Sequence, residues 1–168
     1  MSKIRVAGFV NDSITDGPGI RFTLFTQGCP RRCPECHNPQ TQPLEGGKIY
    51  DSEEIFKKIK QNPLLDGVTF SGGEPMIQAE SLLPLAKQIK SCGLNLFCYT
   101  GYVFEELKNV KFSDELLKYV DVLIDGPYIK EKRDYTLKFK GSTNQRIIDV
   151  QKTLKSGKIS IILDDEWN

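Results

Sequence analysis

The sequence predicts an α/β fold on a largely parallel sheet, and three observations carry that expectation. Apolar, β-rich runs recur at residues 4–10, 21–26, 67–70, 94–99, 120–124 and 159–163, several of them too apolar for half-exposed antiparallel strands. Between them lie stretches with the apolar spacing of amphipathic helices, so strand and helix alternate. The chain has 168 residues, whereas a complete eightfold barrel takes about 250. The expected architecture is therefore a partial, open (βα) barrel with mostly parallel strands, and an open side admits a large substrate.

Taken in order, the first helix follows Ser52, which can cap it, and sets Ile55, Phe56 and Ile59 on one face. The second, over residues 77–90, aligns Leu82, Leu85, Ala86 and Ile89, and Gly93 is suited to stop it. Shorter helices are expected over 103–110 and 113–119. No repeat, linker or low-complexity stretch breaks the pattern, and the length suits one domain over residues 1–168.

Composition bounds the partners. Apolar residues make up 39% and charged residues 27%, near globular averages, so the chain is expected to fold. Lys and Arg total 23 against 22 Asp and Glu, a balance that supplies no field for nucleic acid or an anionic membrane. With no signal-peptide pattern and no membrane-length apolar run, the expected location is cytoplasmic. Five cysteines, three of them within eight residues, suit a metal site in a reducing compartment better than a disulfide framework.

The unusual residues follow the strands: GCPRRCPECHNP after Gln27, SGGEP after Phe70, TGY after Tyr99 and DGPY after Ile124. Parallel α/β folds build their sites from loops at the carboxyl ends of strands, so four such loops predict one site. Cys29, Cys33 and Cys36 have the spacing CxxxCxxC, on a loop bent by Gly28, Pro30 and Pro34. Three thiolates can hold a [4Fe–4S] cluster and leave one iron open, as a catalytic cluster needs. Zinc bound by these cysteines and His37, the sole histidine, is the structural alternative. Adjacent Cys36 and His37 are poorly placed to reach one tetrahedral ion. A ferredoxin-like electron carrier would need a fourth nearby cysteine, and Cys92 and Cys98 are expected to act as small buried hydrophobes.

The CxxxCxxC loop followed by SGGEP resembles the radical S-adenosylmethionine enzymes. The resemblance implies that the open iron binds the amino and carboxylate groups of S-adenosylmethionine, and that Ser71, Gly72, Gly73 and Glu74 contact the same moiety. The stretch SITDGPGIRFTLFTQGCPRRCPECHNP is similar to the signature of activases that install glycyl radicals on partner enzymes. With CYTGY, VDVLIDGPYI and GSTNQRIID, the chain most resembles the activases of anaerobic ribonucleoside-triphosphate reductase. That implies the large catalytic subunit of that reductase as partner and an external one-electron donor such as flavodoxin or ferredoxin. It also implies reductive cleavage of S-adenosylmethionine to a 5′-deoxyadenosyl radical that takes an α-hydrogen from a glycine.

Glu35 departs from the aromatic residue many such enzymes carry before the third cysteine, so no adenine contact is carried to that position. Tyr99, Thr100 and Tyr102 lie on a loop suited to the nucleoside pocket, with packing as the alternative for the tyrosines. Asp125 is expected to orient the cofactor or the glycyl loop, or else to hold the DGPY turn. Arg21 is expected to meet the cofactor carboxylate or a surface acid. The basic stretch 130–133, with Lys138 and Lys140, could dock an acidic partner surface, but such runs are usually solvated loops and it is read as one. Activation of another glycyl radical enzyme, or small-molecule synthesis of the 7-carboxy-7-deazaguanine synthase type, is the alternative function.

Overall fold

The structure, a computed structural model, describes residues 2–30 and 39–163. Among them seven strands form one sheet in the order β3-β1-β2-β4-β5-β6-β7. The strands are β1 (Lys3–Ser13), β2 (Arg21–Thr26), β3 (Lys48–Asp51), β4 (Gly67–Gly72), β5 (Asn95–Tyr99), β6 (Val122–Asp125) and β7 (Arg146–Asp149). The expected parallel pairing is confined to the centre: β2, β4, β5 and β6 pair in parallel, β1 pairs antiparallel with both β2 and β3, and β7 pairs antiparallel with β6.

Among the described residues four helices accompany the strands: α1 (Ser52–Lys60), α2 (Ala79–Ser91), α3 (Ser113–Leu117) and, after the last strand, α4 (Val150–Ser156). Ser52 opens α1 as a buried helical residue, and Asp51 takes the capping position instead, without a side-chain cap bond. A 3₁₀ turn at Pro75–Gln78 precedes α2, and another at Phe104–Asn109 replaces the helix expected there. The strands β3 and β7 and the helix α4 were not foreseen, and residues 159–163 contribute only an isolated bridge, Ile161 to Ile148.

The strand sequences alternate in a way that decides both faces. Phe22, Leu24, Val68, Phe70, Leu96, Cys98 and Leu123 turn one way and pack against Ile55, Leu82, Leu85 and Ile89 of α1 and α2. Their neighbours Arg21, Thr23, Thr69 and Ser71 turn the other way and are also buried. Phe97, Val122, Ile124 and Ile147 form a second, smaller apolar cluster. Both faces of the central strands are therefore buried, one apolar under the helices and one carrying a polar network.

Arg21 anchors that network. It is fully buried; Nε donates to Thr69 Oγ1 at 2.7 Å, the terminal nitrogens donate to the carbonyls of Pro18 and Val68, and the guanidinium lies 4.2 Å from the Phe97 ring centre. Burial lowers its pKa to about 10. Its expected partners, a cofactor carboxylate or a surface acid, are thus replaced by backbone, a threonine and an aromatic face. Thr69 in turn donates to the Asp16 carbonyl, which draws the DGPG turn over the inner face of the sheet.

Candidate active site

The carboxyl ends of β2, β4, β5 and β6 meet at one rim, as expected, and a single hydrogen-bonded chain ties their loops together. Gly73 N donates to Thr26 O, and Glu74 N donates to Gly28 O at 2.7 Å. Glu74 is fully buried; Oε1 accepts from Gly101 N at 2.6 Å, and Oε2 accepts from Thr100 Oγ1 at 2.8 Å and from Met76 N. Tyr102 N donates to Thr100 Oγ1, and Gly126 N donates to Tyr102 O. A buried carboxylate with three donors is fixed in direction, so the loop after β5 and the Met76 amide hold Glu74 in place at the rim.

The glycines of SGGEP have a steric reason. Gly72 has φ +94, and a Cβ on Gly73 would collide with the Gly28 carbonyl, one residue before Cys29. Cys29 is held through its own backbone, which donates to Gln42 O at 2.9 Å, while Gly28 N donates to Thr41 O. The two ends of the cysteine loop are thereby pinned side by side. Cys33 and Cys36, the other expected thiolates, lie outside the described residues, as do His37 and Glu35.

The rim encloses a cavity of about 430 Å³, lined by Cys29, Ser71, Gly72, Gly73, Glu74 and Thr100 among others. Six of the sequence-expected site residues therefore converge on one space of the size that holds a cofactor. Asp125 is turned elsewhere: its buried carboxylate accepts from Phe104 N at 2.7 Å and from Arg146 at 2.5 and 3.1 Å. Arg146 also meets Glu105 at 2.7 Å, and the hydrogen bonds its guanidinium donates to Asp125 and Glu105 push its pKa upward. Asp125 touches the site through its neighbour Gly126, which lines the cavity.

Sequence reading missed the opposite wall. Asp16 lines the cavity, with Oδ2 accepting from Ser13 Oγ at 2.5 Å and Thr23 Oγ1 at 3.1 Å. Tyr99, which the sequence did offer for the pocket, lines it too, and burial raises its phenol well above the ordinary value, with Asp16 adding to the rise and Arg21 opposing it. The segment 126–145 supplies Tyr128, Leu137, Phe139 and Lys140. The signal for this wall was the GSTNQ stretch: Gln145 Oε1 accepts from Gly141 N and Ser142 N while its Nε2 donates to Gly126 O. Asn144 Nδ2 donates to Pro127 O and completes the clasp.

Residues 15–148 match the family described as a 4Fe-4S single cluster domain, which defines the class: an iron–sulfur protein with one cluster. The chain is 35% identical over 142 residues to the anaerobic ribonucleoside-triphosphate reductase-activating protein of Haemophilus influenzae, covering 80% of this chain and 90% of that one. The protein of the same name from Vibrio cholerae is 37% identical with the same coverage. The pyruvate formate-lyase-activating enzyme of Clostridium pasteurianum is 38% identical over 134 residues, 76% of this chain and 54% of the other. The chain belongs to the family of anaerobic ribonucleoside-triphosphate reductase-activating proteins. Its cofactors are a [4Fe–4S] cluster and S-adenosylmethionine, and the zinc alternative is set aside.

Proposed function

We propose that this enzyme activates the large catalytic subunit of anaerobic ribonucleoside-triphosphate reductase by generating a glycyl radical on it. The supporting observation is the convergence of Cys29 and the SGGEP and TGY loops on one cavity at the carboxyl ends of parallel strands. In this reading residues 1–168 form one domain, a partial, open barrel of the radical S-adenosylmethionine type working in the cytoplasm. Among the described residues no helix is long and apolar enough to cross a membrane.

The residues present fit the cofactors. Cys29 borders the cavity, and the side-chain-free Gly72 and Gly73 let the SGGEP backbone lie directly against the Phe25–Gly28 backbone beside it. Cys29, Cys33 and Cys36 would hold the cluster; Ser71, Gly72, Gly73, Glu74 and Thr100 would hold S-adenosylmethionine. Bound there, the pair supplies one-electron cleavage that yields a hydrogen-abstracting carbon radical, with the electron arriving from an external donor such as flavodoxin or ferredoxin. The protein's part is positioning and exclusion of water. Glu74, oriented by Thr100 and Gly101, is placed to accept from the ammonium of the methionine moiety. Asp125 acts at one remove, holding Gly126 and the turn after β6 through Arg146 and Phe104.

The test is anaerobic incubation of reconstituted enzyme with reductant, S-adenosylmethionine and the reductase subunit, followed by electron paramagnetic resonance. A glycyl doublet that depends on the cofactor and on Cys33 is the expected result. The similarity to a pyruvate formate-lyase-activating enzyme favours one second reading, activation of another glycyl radical enzyme. A doublet on pyruvate formate-lyase and none on the reductase would establish it.

A further inference from the structure

The segment between β6 and β7 is a built element. Arg133 and Ser142 form an antiparallel bridge, Thr143 N donates to Lys132 O at 2.8 Å, and Ile129 N donates to Ser142 Oγ at 3.2 Å. At its tip Asp134 Oδ1 accepts from both the backbone N–H and the hydroxyl of Thr136. Phe139 holds a left-handed backbone with φ 65, a cost of about 1–2 kcal/mol that surrounding bonds must sustain. The result is a hairpin with two sides. Leu137, Phe139 and Lys140 line the cavity, while Lys130, Lys132, Arg133, Tyr135 and Lys138 are exposed.

The outer side has two features of a protein interface. Tyr135 is 83% exposed, and its ring is backed by the Arg133 guanidinium at 5.6 Å; tyrosine and arginine are the residues that dominate binding energy at interfaces. Residues 130–140 carry five cations against two carboxylates, in a chain whose net charge is +1. The inner side of the hairpin is one wall of the cavity, so a segment inserted into the cavity would lie beside it.

We propose that the hairpin is the docking surface for the activated enzyme, with Tyr135 as the anchor and the cations matched to an acidic surface flanking the inserted glycine segment. This rests on the function proposed above and adds to it the place and chemistry of contact. Charge on the rim steers encounter, while the aromatic anchor sets the lifetime of the complex.

The test uses the cluster-loaded enzyme and the intact reductase subunit, with binding measured across ionic strength. Tyr135→Ala is expected to weaken binding about thirtyfold. The triple variant Lys130→Gln, Lys132→Gln, Lys138→Gln is expected to slow association and flatten its salt dependence. Both should keep wild-type 5′-deoxyadenosine formation in the absence of the partner, and Tyr135→Phe should restore most of the affinity. Lys57→Gln with Lys60→Gln, on exposed positions of α1, is the control and should leave binding unchanged. Unchanged affinity and salt slope in the hairpin variants, or equal losses in the control, would overturn the proposal. Wild-type enzyme that cleaves S-adenosylmethionine yet neither binds nor activates the reductase overturns the partner assignment itself, a separate failure.

Discussion

Gly73 shows how little room the site leaves. Because its missing side chain is where the Gly28 carbonyl sits, Gly73→Ala must push the SGGEP loop away from Cys29. Displacements of about 1 Å cost on the order of a hundredfold in rate, so cofactor cleavage should fall by at least that factor, read as 5′-deoxyadenosine per enzyme. A wild-type rate in that variant would refute the steric argument. Arg146 is the stability counterpart. Removing it leaves the carboxylate of Asp125, 1% exposed, without its cation, and Arg146→Ala should cost about 3 kcal/mol in denaturant unfolding. Asp125→Asn in the same chain should recover part of the loss. The outer arm of this cluster is weaker and pH-dependent: the Arg146 hydrogen bond holds Glu105 below the usual carboxylate value of 4.5. Its contribution is present above that value and disappears as pH falls through the lower folded value. On so exposed a side chain it amounts to a few tenths of a kcal/mol. Tyr99 shifts the other way, so its phenol should stay protonated above pH 10 in the folded protein. The difference in ultraviolet titration between wild type and Tyr99→Phe measures that directly.

Among elements, the hairpin at 126–145 depends on one side chain more than on its length. Gln145 alone joins Gly141, Ser142 and Gly126, so Gln145→Ala should release about 1–3 kcal/mol of local restraint. Amide exchange at Gly141 and Ser142 should accelerate correspondingly, with little change at β4 or β5. A similar economy appears at Gln78, whose amide pairs with both the N–H and the carbonyl of Arg5 and fastens the turn before α2 to β1. Neither residue stands out in a pattern of apolar spacing, because a polar side chain that substitutes for a strand partner has no periodicity. The central strands and α2 were legible for the opposite reason: Phe22, Leu24, Val68 and Phe70 recur at period two, and Leu82, Leu85, Ala86 and Ile89 at helical spacing. The short β3 and β7, of four residues each, carry too little pattern to be seen.

For the molecule as a whole, the cofactor cavity is assembled from six separated stretches of chain, so ligand binding and folding are linked. S-adenosylmethionine at a hundred times its dissociation constant should raise the unfolding free energy of the cluster-loaded enzyme by about 2.7 kcal/mol. Anaerobic thermal unfolding with and without the cofactor checks this, and Gly73→Ala should lose the shift. The sequence by itself determined the family, the cysteine loop, the SGGEP loop and the parallel centre of the sheet, since contiguous motifs and regular spacing are local information. Only the tertiary structure decided that Arg21 supports the DGPG turn, that Asp125 faces Arg146, and that the basic segment forms a wall of the site. Each of those depends on which distant backbone comes within hydrogen-bond reach, and packing sets that after the strands have found their order.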